Sequence, residues 1–469
     1  MPISDVFPEI AIIVAAVLAL LFAVFAPRRL QAGAALVALA GIAIAIVLIL
    51  AQLGETRFTF SNTWALDGAS LWARLMILLG AAFCILLSPG WFRTDPRHGE
   101  YYTILLLATL GAMTMAGAGD LLQLTIAVLL SSVTGYTLAA WHRDWALSVE
   151  AGMKYFLMGA LSNALLITGV TLMLGLLGST AYAEIKTTLA LGTGLSPLLF
   201  VGFALTITGV AFKLGAVPAH AWLPDVAEGA PVPSAAFLTV VPKIGAAIAL
   251  ARLVQLVPPE MLGLRPLIAV LAAATMTLGN LAAFWQDDMR RLIGWSSVAQ
   301  AGYVLMAVTV LGLSPDALTA LLAFIASYAI GNLTAFAVVA YLRGRTALAD
   351  YDGLAKQRPL VATVLVISFL SLVGIPPTVG FLGKLALFLT TIDGGYLWLA
   401  VLAAANTVAS LFYYARVMGR TYFNEPKGHI AVLDRASGSA MVIGGTLVIV
   451  AALLAGSAFV AFEASRILP

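Results

Sequence analysis

The stretch Phe212–Asp225, "FKLGAVPAHAWLPD", follows fourteen residues with no charge, "LLFVGFALTITGVA" at 198–211. An apolar run of that length predicts a helix able to enter a bilayer. Lys213 closes the run, and Pro218, His220 and Pro224 follow at once. Pro218 has no N–H to give the carbonyl of Leu214, so the helix is interrupted just past the lysine. Non-helical backbone at membrane depth is tolerated only inside protein or beside water. The segment therefore reads as a broken helix that places a lysine in a polar pocket.

The rest of the chain agrees with a membrane reading. Of 469 residues, 62% are hydrophobic and only 10% are charged, against about 25% in a soluble domain. Fourteen apolar spans are predicted, at 8–26, 33–53, 69–88, 102–118, 120–141, 150–176, 197–222, 232–256, 265–285, 292–312, 315–342, 358–391, 395–423 and 439–461. They are too long and too uniformly apolar for barrel strands. The fold class is an all-α polytopic membrane protein. The one cysteine, Cys84, excludes an iron–sulfur cluster, which needs about four thiolates. No phosphate-binding glycine motif is present. Energy must come from a partner or an ion gradient, and no metal or nucleic-acid partner is expected.

The amino-terminal "MPISDVFPEI" carries Asp5 and Glu9 and no basic residue, unlike a secretory leader. With alternating sides, one set of loops holds Arg28, Arg29, Arg93, Arg97, Arg143, Arg290, Arg291, Arg343, Arg345, Lys356, Arg358, Arg416, Arg420, Lys427 and Arg435; the other holds Arg57, Arg74, Lys186, Arg252, Arg265 and Arg466. Basic residues mark the cytoplasmic side, so both termini are expected to face the periplasm.

Four cations remain, Lys154, Lys213, Lys243 and Lys384, all within predicted spans. Each would cost roughly 2.5–3.5 kcal/mol at the centre of a lipid-exposed helix, so all four are expected to turn inward. A buried lysine can release its proton, whereas an arginine stays charged; this choice of residue fits a proton relay. For Lys154 the alternative is an i,i+4 ion pair with Glu150. A second broken helix appears in "SLVGIPPTVGFLGKLALF" (371–388), where Pro376 and Pro377 free the carbonyls of Leu372 and Val373, and Lys384 lies just beyond. The two breaks fall in the seventh and twelfth spans. They hold the fourth place in two consecutive five-span blocks, spans 4–8 and 9–13. That spacing predicts two inverted five-helix repeats; ordinary proline kinks are the alternative. The divisions are then 1–101, 102–256, 257–425 and 426–469. His220 is a candidate proton carrier between pocket and water, or else a satisfied buried histidine.

Several long motifs, in order, closely resemble the antiporter-like subunit N family of respiratory complex I. They are "SVEAGMKYFLMGALS", "AFKLGAVPAHAWLPDVAEGAPVPSAAFLTVVPK", "NLAAFWQDDMRRLIGWSSVAQAGY", "DYDGLAKQRPL" and "LVGIPPTVGFLGK", spread over roughly residues 65–425. The resemblance implies fourteen helices and proton translocation in the bacterial cytoplasmic membrane, driven by redox chemistry in other subunits. It implies membrane subunits of that complex as partners. FMN, iron–sulfur clusters and quinone would be held by partner subunits of the complex, with no cofactor in this chain. It also implies a relay in which Lys154, Lys213, His220, Lys243 and Lys384 match family positions, running from Lys213 through Lys243 to Lys384. Ser327, Tyr328 and Asn332 are expected to pack helices or hold bridging water. Two positions depart from the family pattern. The fifth-helix glutamate that partners the seventh-helix lysine falls on Leu129, and a frequent histidine falls on Gln300. A multisubunit cation/proton antiporter and a non-pumping spacer are the competing functions.

Overall fold

The structure, a computed structural model, describes residues 2–192, 196–259, 263–343, 345–426, 432 and 435–468. Lys427, counted above among the basic loop residues, lies outside them. Among the described residues the helices run α1 (Phe7–Phe25), α2 (Gly33–Ala51), α3 (Gly68–Trp91), α4 (His98–Gly117), α5 (Leu121–Ala139), α6 (Ala146–Leu177), α7 (Tyr182–Ala190), α8 (Pro197–Leu214), α9 (Trp222–Gly229) and α10 (Val232–Gln255). They continue as α11 (Leu264–Phe284), α12 (Met289–Thr309), α13 (Ala317–Tyr341), α14 (Leu354–Gln357), α15 (Pro359–Val373), α16 (Val379–Asp393), α17 (Leu397–Phe423), α18 (Arg435–Leu453) and α19 (Ala455–Glu463).

Twelve described helices are each long and apolar enough to cross a membrane. Adding α4 and the broken pair α15–α16 gives fourteen crossings, with α8–α9 as the seventh. The predicted spans fall on these helices. Two details differ. The last span is divided at Leu454 into α18 and α19. A short hairpin, β1 (Arg57–Thr59) with β2 (Trp64–Leu66), pairs antiparallel with Arg57 opposite Leu66, and it gives no signal in hydropathy.

Loops on one face interlock. Gly119 N–H donates to the Thr63 carbonyl at 2.8 Å, and Asp120 bridges to Ala181. On the other face Asp288 bridges to Ala347, and Gly353 N–H donates to the Arg420 carbonyl at 3.0 Å. These contacts agree with a chain that crosses at every span.

Burial divides the helices into a core and a shell. α10 is buried along its whole apolar length, and α12 and α13 nearly so. The outer helices α1, α2, α5, α6 and α17 present large apolar side chains outward, such as Val24, Leu36, Ile126, Leu157 and Phe412. Lipid is as apolar as leucine, so close contact and hydrogen bonds, rather than the hydrophobic effect, select which helices meet. Glycine supplies that contact at α10, where a Cβ on Gly245 would lie 2.4 Å from the Ala112 carbonyl oxygen of α4.

Two of the arginines assigned to loops by sequence, Arg74 and Arg252, lie inside helices and form buried ion pairs. Arg74 of α3 is fully buried and pairs with Glu9 of α1 at 3.0 Å. Arg252 of α10 pairs through both terminal nitrogens with Asp67, at 2.7 and 2.8 Å, with both side chains inaccessible. Asp67 also caps α3 by accepting from Ser70 N–H and accepts from Leu468 N–H, while Arg252 donates to the Leu468 carbonyl at 2.6 Å. The carboxy-terminal segment is thereby strapped across the ends of α3 and α10.

Candidate functional site

Both broken helices end their first half in the same way. α8 stops at Leu214, and Gly215 takes the left-handed conformation at φ +67. α15 stops at Val373, and Gly374 follows at φ +92. A side chain at either position would be strained. After each glycine come the prolines: Pro218 in the first break, Pro376 and Pro377 in the second.

Each break puts backbone groups into the core, and polar side chains satisfy them. In the first, the Trp222 indole donates to the Phe212 carbonyl at 3.1 Å, and Val217 N–H donates to Thr275 Oγ1 at 3.1 Å. In the second, the freed carbonyls are Leu372 and Val373. Gln300 Nε2 donates to Leu372 at 3.0 Å, and Lys384 Nζ donates to Val373 at 3.0 Å. Gln300 thus has a definite role here: it ties α12 to the broken end of α15.

Three of the four predicted lysines are buried. Lys213 is inaccessible, Lys243 is 3% exposed and Lys384 is 4% exposed. None forms an ion pair with a carboxylate among the described residues. Lys213 donates to Tyr155 Oη at 3.2 Å and sits 5.3 and 5.1 Å from the Tyr155 and Phe212 ring centres. Lys243 donates to the Ser297 carbonyl at 2.6 Å and lies 5.5 Å from the Tyr328 ring centre. Lys384 lies 4.4 Å from the Tyr303 ring centre. A hydrogen bond to a charged group is worth about 1.5–3 kcal/mol, comparable with the roughly 2.5–3.5 kcal/mol cost of placing the lysine at membrane depth. These contacts can therefore hold a lysine in place without a neutralising acid.

One helix connects two of these lysines. Ser297, Gln300 and Tyr303 follow each other at i, i+3 and i+6 along one face of α12. The first touches Lys243, the second holds the Leu372 carbonyl and the third faces Lys384. Around Lys243, Tyr328 Oη lies 2.6 Å from Ser297 Oγ and donates to the Thr239 carbonyl at 2.8 Å; Asn332 Nδ2 donates to Thr239 Oγ1 at 3.1 Å. Tyr328 and Asn332 thus join α13 to α10, while Ser327 bonds only within α13, to the Phe324 carbonyl. Pro242 lies inside the continuous helix α10 directly before Lys243, so a proline stands near each of the three buried lysines.

Lys154 departs from expectation. Its side chain is 44% exposed and pairs with Glu150 at 2.7 Å and Asp225 at 3.1 Å. It starts too near the end of α6 to reach the core. Asp225 also takes Arg291 at 2.5 Å, and Glu228 takes Arg291 at 2.7 Å, so α6, α9 and α12 meet in one charged network at this rim. An exposed pair of this kind is worth about 0–1 kcal/mol. Lys154→Gln is expected to lower stability by less than about 1 kcal/mol, read as the shift in thermal unfolding in detergent.

His220 is partly buried beside Trp295, with ring centres 5.8 Å apart, and its Nδ1 has no protein partner among the described residues. It meets none of the buried lysines directly. Leu129 is partly exposed on α5. Sequence reading did not single out Tyr155, Trp222, Ser297 or Thr239. Only Tyr155 had a local signal, since it follows Lys154 directly and its side chain turns inward where that of Lys154 turns out.

Residues 118–412 match the family of NADH:quinone oxidoreductase/Mrp antiporter transmembrane subunits. The chain is 44% identical to NADH-quinone oxidoreductase subunit N 1 of Streptomyces griseus, over 87% of this chain and 86% of that one. It is 42% identical to subunit N of a Mycobacterium species, over 82% and 80% of the two chains. Among solved structures it is similar to a chain of respiratory complex I from Thermus thermophilus with bound aureothin, at a TM-score of 0.84 and 30% identity, covering 98% of this chain and all of that one. A chain of the Mrp complex from Dietzia matches at a TM-score of 0.83 and 19% identity, covering 99% and 97%; at that identity the likeness is one of fold. Helix count, broken helices and sequence kinship agree: this chain belongs to the NADH-quinone oxidoreductase subunit N family of antiporter-like membrane proteins.

Proposed function

We propose that this subunit moves protons across the bacterial cytoplasmic membrane through Lys213, Lys243 and Lys384, with His220 serving exchange with water at the first break. The observation that carries the reading is the state of these three lysines: each is buried and unpaired with any carboxylate among the described residues, and two of them, Lys213 and Lys384, flank broken helices. A lysine locked in an ion pair has no reason to change charge, whereas one held by hydroxyls, carbonyls and ring faces can exist with or without its proton. Lys154, held at the rim in its ion pairs with Glu150 and Asp225, lies outside this path. The five-helix units 102–256 and 257–425 are the two halves of the path, flanked by 1–101 and 426–469. Both termini face the periplasm in this arrangement.

The chain's partners are other membrane subunits of NADH-quinone oxidoreductase, and FMN, iron–sulfur clusters and quinone belong to other subunits of that complex. Redox energy reaches this chain as a change in contacts at its flanks. Purification of the tagged protein from its native membrane tests the assignment. Flavin and iron–sulfur absorbance are expected to copurify, and NADH is expected to drive acidification when the complex is placed in vesicles. Copurification with a redox-free cation/proton antiporter assembly would replace this reading with the antiporter one.

A further inference from the structure

Lys213 lacks the acid that a relay lysine would ordinarily lean on, yet its pocket is closely built. The Tyr155 ring stacks on Trp222 at 4.1 Å and 17°, and Trp222 is fixed by its bond to the Phe212 carbonyl. Tyr136 packs edge-on against Tyr155 at 4.9 Å. Gly135 leaves room for the phenol, because a Cβ there would lie 3.1 Å from the Tyr155 hydroxyl. The hydroxyl is fully buried and takes its one hydrogen bond among the described residues from Lys213.

We propose that Tyr155 is the positioning residue that holds Lys213 in both of its charge states, with less bias toward the ammonium than a carboxylate would impose. The inference rests on the relay reading of Lys213. An ionised carboxylate only accepts hydrogen bonds and carries a negative charge, so it favours the ammonium over the amine and offers nothing to the amine lone pair. A phenol does both: its oxygen accepts from an ammonium, and its O–H donates to the lone pair of an amine. When Lys213 gains a proton, the Tyr155 O–H turns away and its oxygen accepts. When Lys213 gives the proton up, the O–H turns back and donates. Tyr155 keeps its own proton throughout, so one proton enters and one leaves at Nζ. Neither side chain has to move, which suits a ring clamped between Trp222 and Tyr136. Leu129, an apolar residue on α5, is then consistent with a working site.

Tyr155→Phe in the intact complex removes the hydroxyl and keeps the ring. It is expected to assemble normally and to slow redox-driven proton transfer about tenfold or more, the rate equivalent of one hydrogen bond to a charged group. Combined with Lys213→Met it should add nothing, since both remove one interaction. Wild-type pumping by Tyr155→Phe alongside impaired Lys213→Met overturns the role of Tyr155 and leaves the relay standing, as does an additive double variant. Wild-type pumping by Lys213→Met overturns the relay itself. Independently of any variant, infrared difference spectra of complex with ring-labelled tyrosine should show a tyrosine hydroxyl band that changes on adding NADH; a flat tyrosine region would also overturn the proposal.

Discussion

Lys243→Met is expected to abolish proton movement through this subunit while leaving its fold intact. The two halves of that expectation have separate physical sources. Lys243 holds one hydrogen bond, to a helical carbonyl, and otherwise lies among apolar and aromatic groups. Methionine is of similar length, flexible and apolar, so it fills the same space. Losing the ammonium also removes the roughly 2.5–3.5 kcal/mol penalty of a charge at membrane depth. Thermal stability should therefore hold or rise. The transport loss follows because no other ionisable side chain among the described residues contacts Ser297 and Tyr328. Lys243→Arg sharpens the test: guanidinium keeps a positive charge but cannot release a proton, so a relay fails with it too, whereas a structural cation would be conserved. The measurement is the ratio of protons pumped to electrons transferred in sealed vesicles. An unchanged ratio in both variants would reduce the subunit to a scaffold.

The largest expected effect on stability lies elsewhere, at Asp67→Asn. Removing one partner of a buried ion pair costs about 3–5 kcal/mol because the other charge is left unanswered. Here the survivor would be Arg252, fully buried in α10. Asparagine has one acceptor oxygen where aspartate has two, so it keeps only one of the bonds from Ser70 N–H to Oδ1 and Leu468 N–H to Oδ2, and this loss adds to that of the charge. Burial acts to raise the Asp67 carboxyl, but the Arg252 guanidinium and the hydrogen bonds from Arg252, Leu468 and Ser70 outweigh it and hold it below the ordinary value of 3.8. A lowered folded value means that the carboxylate stabilises the fold above about pH 4, and that this contribution is lost as pH falls through the folded value. Unfolding in detergent should show wild type losing its advantage over Asp67→Asn only in acid. A constant difference across that range would argue against the ion pair as its source.

Much of the fold is legible because the bilayer imposes one rule on every span. The fourteen crossings follow from hydropathy, and the breaks follow from Pro218 and from Pro376 with Pro377, since no other residue type removes an N–H donor. Burial of Lys213, Lys243 and Lys384 is legible from the cost of exposing them to lipid. What escapes is anything decided by one turn of helix. Lys154 sits in an apolar run like the others, but it lies a turn too near the rim and finds Asp225 of α9, a partner distant in sequence. Arg74 and Arg252 read as loop cations, because nothing local announces that Glu9 and Asp67 will meet them from other helices. The Tyr155–Trp222 stack joins residues 67 positions apart, and the hairpin at Arg57–Leu66 is too short to alter a hydropathy average.

The complete enclosure of α10 has a consequence for biosynthesis. The chain enters the membrane in order, so α10 leaves the ribosome before α12 and α13 exist. At that moment Lys243 has neither the Ser297 carbonyl nor the Tyr328 ring. The nascent α10 gains both partners only after three further helices, α11, α12 and α13, are made. An arrest in translation between residues 255 and 317 would leave the Lys243 ammonium without one or both of these partners.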